Sequence, residues 1–355
     1  MPLKEVMDPP FFARWQEVVF TSLVLVLLLL PFGLSGKIAR KDVYATVPTK
    51  AGAFPYIQHE IFEDKSDIDV LVLSTSLLWT AIDTPYLQTE LSKTIGREAK
   101  VVTLGSNWRG EDLNYVLLRD LLERRKVKSL IFSMPADYQV MDEPHNQSAH
   151  WLLYGENQEA LRGLPVRQRI ALYGEQVLGA PRHLLTKLRA DQPAEVRYRE
   201  KLGANLVEEG FEGASFIPRD RPTPKLSPAE MIYSNTSAPN FSFTQKPLSA
   251  YQAHFLRLVF ALLQKHDVKV TIVHVPLWTE RHKTSVEERM LWPEVFRMPM
   301  SIVGVPPATL FEGMTNDEIA QFYYNEHLNA NGARLFTRTI TPALVKTYVE
   351  NDQLR

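Results

Sequence analysis

Between Val18 and Gly36 the chain carries no charged residue, and the centre of this run reads Leu23-Val24-Leu25-Val26-Leu27-Leu28-Leu29-Leu30. A helix rises about 1.5 Å per residue, so the run approaches the roughly 30 Å of hydrocarbon in a bilayer. It has no polar face, whereas a helix on the surface of a soluble protein shows only one apolar stripe. Trp15 stands just ahead of it, where an interfacial anchor sits, and Pro31 and Gly33 come late, where the helix kinks or ends. The preceding segment mixes Lys4 and Arg14 with Glu5, Asp8 and Glu17, unlike the basic leader of a secretory signal, and Leu34-Ser35-Gly36 is not an Ala-x-Ala cleavage site. The run therefore reads as a retained single-pass anchor, in preference to a cleaved signal or a buried core helix. Lys37, Arg40 and Lys41 follow it, against two cations before it, a count that points to a cytoplasmic C-terminal domain.

The rest of the chain has an ordinary globular character. Lys+Arg is 40 and Asp+Glu is 41 in 355 residues, a formal net charge of −1, and there is no cysteine. Zero cysteine excludes a disulfide framework, a cysteine zinc site, an iron–sulfur cluster and a thiol nucleophile. Near-neutral charge argues against a nucleic-acid coat, so no nucleic-acid partner is expected. A mean hydropathy of −0.18 argues against several membrane spans. The expected organisation is a tail and anchor (1–36), a linker (37–66) and one large domain (67–355).

Within that domain, Ile68 to Leu73 (IDVLVL) is a short apolar run between charged residues and Ser74-Thr75-Ser76, as in a buried parallel strand. A helix is predicted over 83–95, and a strand over 99–104 that ends at Gly105. Leu113, Val116, Leu117 and Leu121 share one face of a helix predicted from Glu111 to Arg125, and a third strand follows at Ser129–Ser133. Strand, helix, strand, helix, strand is the signature of an α/β protein with a doubly wound, mostly parallel sheet. Residues 140–250 break the pattern and read as a long insertion with a helix near 165–190. The alternation resumes with a helix at 248–265, a strand from Lys269 to Val275, a weak strand at 301–305 and a C-terminal helix from Asn331 to Val349. Arg124-Arg125-Lys126 reads as a solvated helix end, and His274, His282 and Trp278 as a loop or pocket wall. No Gly-rich phosphate loop and no metal-ligand spacing occurs, so no cofactor or metal is expected.

Ligands of open α/β sheets bind at the carboxyl ends of the strands. That rule selects Ser74-Thr75-Ser76, Gly105-Ser106-Asn107, Pro135-Ala136-Asp137 and Pro276-Leu277-Trp278. A serine at the first strand end and a late histidine, His327, are the ingredients of a serine hydrolase or acyltransferase. Taken alone, Ser76 could equally cap the helix that follows it.

The blocks Ser74-Thr75-Ser76 with Ile82-Asp83-Thr84-Pro85-Tyr86-Leu87, Leu104-Gly105-Ser106-Asn107, Pro135-Ala136-Asp137 and Tyr324-Asn325-Glu326-His327-Leu328-Asn329-Ala330-Asn331-Gly332 together resemble the SGNH (GDSL-like) hydrolase superfamily. The nearest likeness is its membrane-anchored branch in bacterial envelope modification, which includes alginate acetylation proteins and the D-alanyl transfer protein of lipoteichoic acid synthesis. The resemblance covers roughly 66–139 and 250–349 and implies a three-layer, flavodoxin-like fold. It implies Ser76 as nucleophile, His327 as general base, and Gly105 with Asn107 as oxyanion donors. It implies a glycan substrate, a membrane held through residues 18–36, a multi-span membrane protein or larger membrane complex as partner, and a domain on the periplasmic side of a bacterial inner membrane. This placement opposes the charge count around the anchor.

The departures are specific. Tyr324 occupies the position of the family's acid, Ser74-Thr75 replaces Gly-Asp before the nucleophile, and the third block lacks the oxyanion asparagine. Asp317, Glu312 and Glu326 are the carboxylates whose chain position could bring a substitute acid. Two functions follow: an O-acyltransferase or esterase working through Ser76 and His327, or a catalytically degenerate accessory subunit.

Overall fold

The computed structural model describes residues 15–34, 39–44, 54–106, 110–133, 163–174, 249–282, 298–324 and 327–353, with isolated positions at 161, 177, 211–212, 217–218 and 284. The third strand end with Asp137, most of the 140–250 insertion, Asn107 and Glu326 lie outside the described residues.

Five parallel strands form the central sheet: β1 (Ile68–Thr75), β2 (Val101–Ser106), β3 (Val127–Ser133), β6 (Lys269–Val273) and β7 (Met300–Val303), in the order β2-β1-β3-β6-β7. A two-residue pair, β4 (Phe211–Glu212) and β5 (Ile217–Pro218), lies apart from it. Alternate strand residues point to opposite faces, and both faces are covered, which is why these strands read as continuous apolar runs. Leu71, Leu73, Leu130, Phe132, Val270 and Ile272 join one core cluster with helices α6 (Glu111–Leu122) and α8 (Ala250–Lys265). Val70, Val72, Ile131 and Val273 join the other, with α4 (Ser76–Ala81), α5 (Thr84–Ile95), the short α9 (Pro307–Leu310) and α10 (Asn316–Ile319), and the long C-terminal helix α11 (Ala330–Gln353). The three-layer α/β arrangement is thus present. The expected strand over 99–104 runs instead from Val101 through Ser106, and the C-terminal helix continues to Gln353.

The stretch read as a linker contributes to the core. Helix α2 (Arg40–Tyr44) and helix α3 (Phe54–Phe62) bring Tyr44, Phe54, Ile57 and Ile61 into the first cluster, all fully buried. The expected solvated helix end is corrected at Arg125 alone, since Arg124 and Lys126 are exposed. Arg125 is 3% exposed, and it donates to the carbonyls of Ser66 and Glu60 at 2.6 Å and to the Glu60 carboxylate at 3.0 Å. Its guanidinium is the clasp between α3 and the start of β3. The exposed Arg124 lays its guanidinium 4.6 Å above the Phe62 ring.

Helix α1 (Trp15–Leu34) contains most of the uncharged run. Its apolar side chains from Val18 to Leu29 are exposed around the helix, while Leu30 packs against the first core cluster. The described side chains of α1 are those of residues 15–30 and 33, and among the described residues no helix is long and apolar enough to cross a membrane. Of the helix expected near 165–190, residues 166–174 form α7, and the rest lies almost wholly outside the described residues.

Candidate active site

The sheet order reverses at β1, because β2 lies on one side of it and β3 on the other. Such a switch point opens a crevice at the carboxyl ends of the strands. Ser76 stands there, immediately after the last residue of β1 and at the first position of α4. Thr75, the cap residue, is extended (φ −70°, ψ 172°) and its side chain makes no cap hydrogen bond. Ser76 is not a helix cap either: its Oγ lies 2.8 Å from Nε2 of His327. Two residues 251 positions apart in the chain are therefore within hydrogen-bond reach of one another.

His327 comes from a short antiparallel hairpin, β8 (Tyr323–Tyr324) and β9 (His327–Leu328), that leads into α11. Burial of its ring lowers the imidazole pKa below its ordinary value, so His327 is neutral at pH 7 and able to accept a proton. Among the described residues, no carboxylate is bonded to its other ring nitrogen. Asp317 and Glu312 are exposed, and Asp317 is engaged through its backbone carbonyl by Gln321.

The hairpin is held by residues whose role is not legible in the local sequence. Asn329 is 4% exposed and works in both directions. Its amide donates to the Gln321 and Tyr323 carbonyls, and its Oδ1 accepts from the backbone N–H groups of Asn331 (2.9 Å) and Gly332 (3.1 Å). It caps α11 and fixes the hairpin with one side chain. At Gly332 an added Cβ would lie 2.3 Å from the Phe322 carbonyl oxygen. Gly332→Ala must displace backbone next to the hairpin. It is expected to destabilise the fold by roughly 1–3 kcal/mol, the usual cost of overpacking, measured by urea unfolding. Unchanged stability contradicts this role for Gly332.

Helix α11 also grips the serine side. The Thr337 hydroxyl accepts the Asp83 N–H at 2.9 Å and donates to the Ala81 carbonyl at 3.0 Å. One helix therefore ties the end of α4 to the hairpin that carries His327. Below the hairpin, the buried Tyr323 hydroxyl donates to the Pro276 carbonyl at 3.1 Å, and its ring meets Trp278 and Phe311. Trp278 is a prop of the hairpin rather than a pocket wall. His274 pairs with Glu280 at 2.9 Å, and His282 is exposed.

The expected oxyanion donors fare differently. Gly105 lies inside β2, where it pairs with Ser74 and the ladder continues to Ser106. An added Cβ there would lie 2.4 Å from the Trp79 ring, so Gly105 admits the close approach of that indole. Asn107 lies outside the described residues. The backbone N–H of Ser76, in the first turn of α4, is one of the donors that a helix leaves without an internal acceptor. Among the described residues, no group of His, Asp or Glu is arranged to hold a metal ion.

No protein-family model matches the chain, and no curated protein matches it.

Proposed function

We propose that the protein is an SGNH-like serine hydrolase or O-acyltransferase of a bacterial envelope, anchored in the membrane by α1 and acting on an ester of an extracytoplasmic polysaccharide. The observation that carries this reading is the 2.8 Å contact between Ser76 Oγ and His327 Nε2 at the switch point of the sheet. The exposed apolar surface of α1 supports the anchor, since a bilayer is the environment in which such a surface is stable. The envelope location and the glycan rest on the resemblance of the His327-Leu328-Asn329…Gly332 block to the membrane-anchored SGNH branch.

The reaction divides into two acyl transfers. Ser76 Oγ attacks the ester carbonyl while its proton passes to His327 Nε2. The backbone N–H of Ser76 faces the developing oxyanion. The C–O bond to the leaving alcohol breaks, and His327 returns the proton to that alcohol. In the second transfer, water or a sugar hydroxyl gives its proton to His327 and attacks the acyl-Ser76 carbonyl, which releases Ser76 with its proton restored.

A second reading has one observation behind it: among the described residues no carboxylate backs His327. Removing the acid from a Ser-His-Asp triad costs about 10⁴ in turnover, so the same fold would also suit a catalytically degenerate accessory subunit of a larger membrane assembly, with a multi-span acyltransferase as its partner. Covalent labelling separates the two. An alkyl fluorophosphonate is expected to label the wild-type protein and to leave Ser76→Ala unlabelled. Labelling that is absent from the wild type, or that persists in Ser76→Ala, overturns the enzyme reading.

A further inference from the structure

We infer that helix α7 (166–174) is a second membrane contact, lying in the headgroup boundary of an anionic bilayer beside the exit of α1. The inference rests on the anchor reading of α1 and goes beyond it. Positions 166, 170 and 173 fall on one stripe of a helix with 3.6 residues per turn. Val166 and Ile170 on that stripe are 61% and 64% exposed, and they are the large apolar side chains that the described residues expose outside α1. Tyr173, on the same stripe, donates its hydroxyl to the Leu28 carbonyl of α1. The opposite side of α7 is anchored, because Leu172 is fully buried in the core. The apolar stripe of α7 therefore faces the same side as the anchor and is continuous with it.

The depth agrees. From Leu28 to Leu34, the last residue of α1, the helix rises about 9 Å. An amphipathic helix in the interface buries its apolar face about 5–10 Å deep. A helix bonded to α1 at Leu28 lies at that depth without further adjustment. The charges agree as well. Arg167 and Arg169 are exposed and flank the stripe on its two sides. Guanidinium groups so placed reach lipid phosphates while their stems cover apolar surface. The partner is thus a phospholipid surface with negative headgroups, and the domain would be held against it with a fixed face.

The chain has no cysteine, so single-cysteine variants of the full-length protein can carry a fluorophore at one chosen site. Val166→Cys, Ile170→Cys, Leu25→Cys and Lys93→Cys would be labelled and reconstituted in vesicles of phosphatidylcholine with phosphatidylglycerol. Quenching by lipids spin-labelled near the headgroup and deep in the acyl chain is then measured. The expected result is strong deep quenching at 25, several-fold stronger shallow quenching at 166 and 170 than at 93, and a fall at 170 when Arg167→Gln and Arg169→Gln are added. Quenching at 25 with none above the Lys93→Cys level at 166 and 170 overturns this inference and leaves the anchor standing. Absence of quenching at 25 overturns the anchor itself.

Discussion

Replacing His327 with glutamine is expected to slow phosphonylation of Ser76 about 10²- to 10⁴-fold at neutral pH, the range that a positioned general base commonly supplies. Glutamine fills similar space and can still touch Ser76 Oγ, but it does not accept the proton. The effect therefore reads chemistry rather than packing. The pH dependence has a fixed sign. Burial disfavours the imidazolium and moves the His327 pKa below the ordinary 6.5. The neutral base predominates above 6.5, and the labelling rate of the wild type falls as pH drops through a value below that. His327→Gln should lose this limb altogether. A rate unchanged by the substitution, or a limb that survives it, means that His327 is not the base.

The second large effect concerns stability. Arg125 has no exposed side-chain surface and meets the Glu60 carboxylate, itself almost wholly buried, at 3.0 Å. Arg125→Met leaves that carboxylate in the core without its cation and strands the carbonyls of Glu60 and Ser66. Breaking one side of a buried pair costs about 3–5 kcal/mol. Urea unfolding of Arg125→Met should show a loss of this size. Adding Glu60→Leu should recover part of it, because an apolar pair avoids the stranded charge. Equal loss in the single and double variants would show that the two carbonyls, not the carboxylate, dominate the site.

The sheet was legible because its strands are short, apolar on both faces and bounded by charged or small residues. Ser76 and His327 were legible because a strand end and a motif block each mark their own position. What local pattern does not record is pairing over long separation. Thr337 and Ala81, or Arg125 and Glu60, look like an ordinary helix threonine and an ordinary surface arginine until the fold brings them together. Helices α2 and α3 were missed for a related reason. They are five and nine residues long, too short for helical periodicity to stand out, and tertiary packing decides their state. Gly105, expected at the end of the second strand, lies inside it, and the Trp79 ring occupies the space that a side chain there would need.

The central claim is Ser76 as an acyl carrier activated by His327. The most direct measurement is a peptide map of the full-length protein after treatment with an alkyl fluorophosphonate, run beside Ser76→Ala. One phosphonylated peptide is expected in the wild type, with the adduct on Ser76, and none in the variant. An unmodified wild type, or an adduct on another serine, would contradict it.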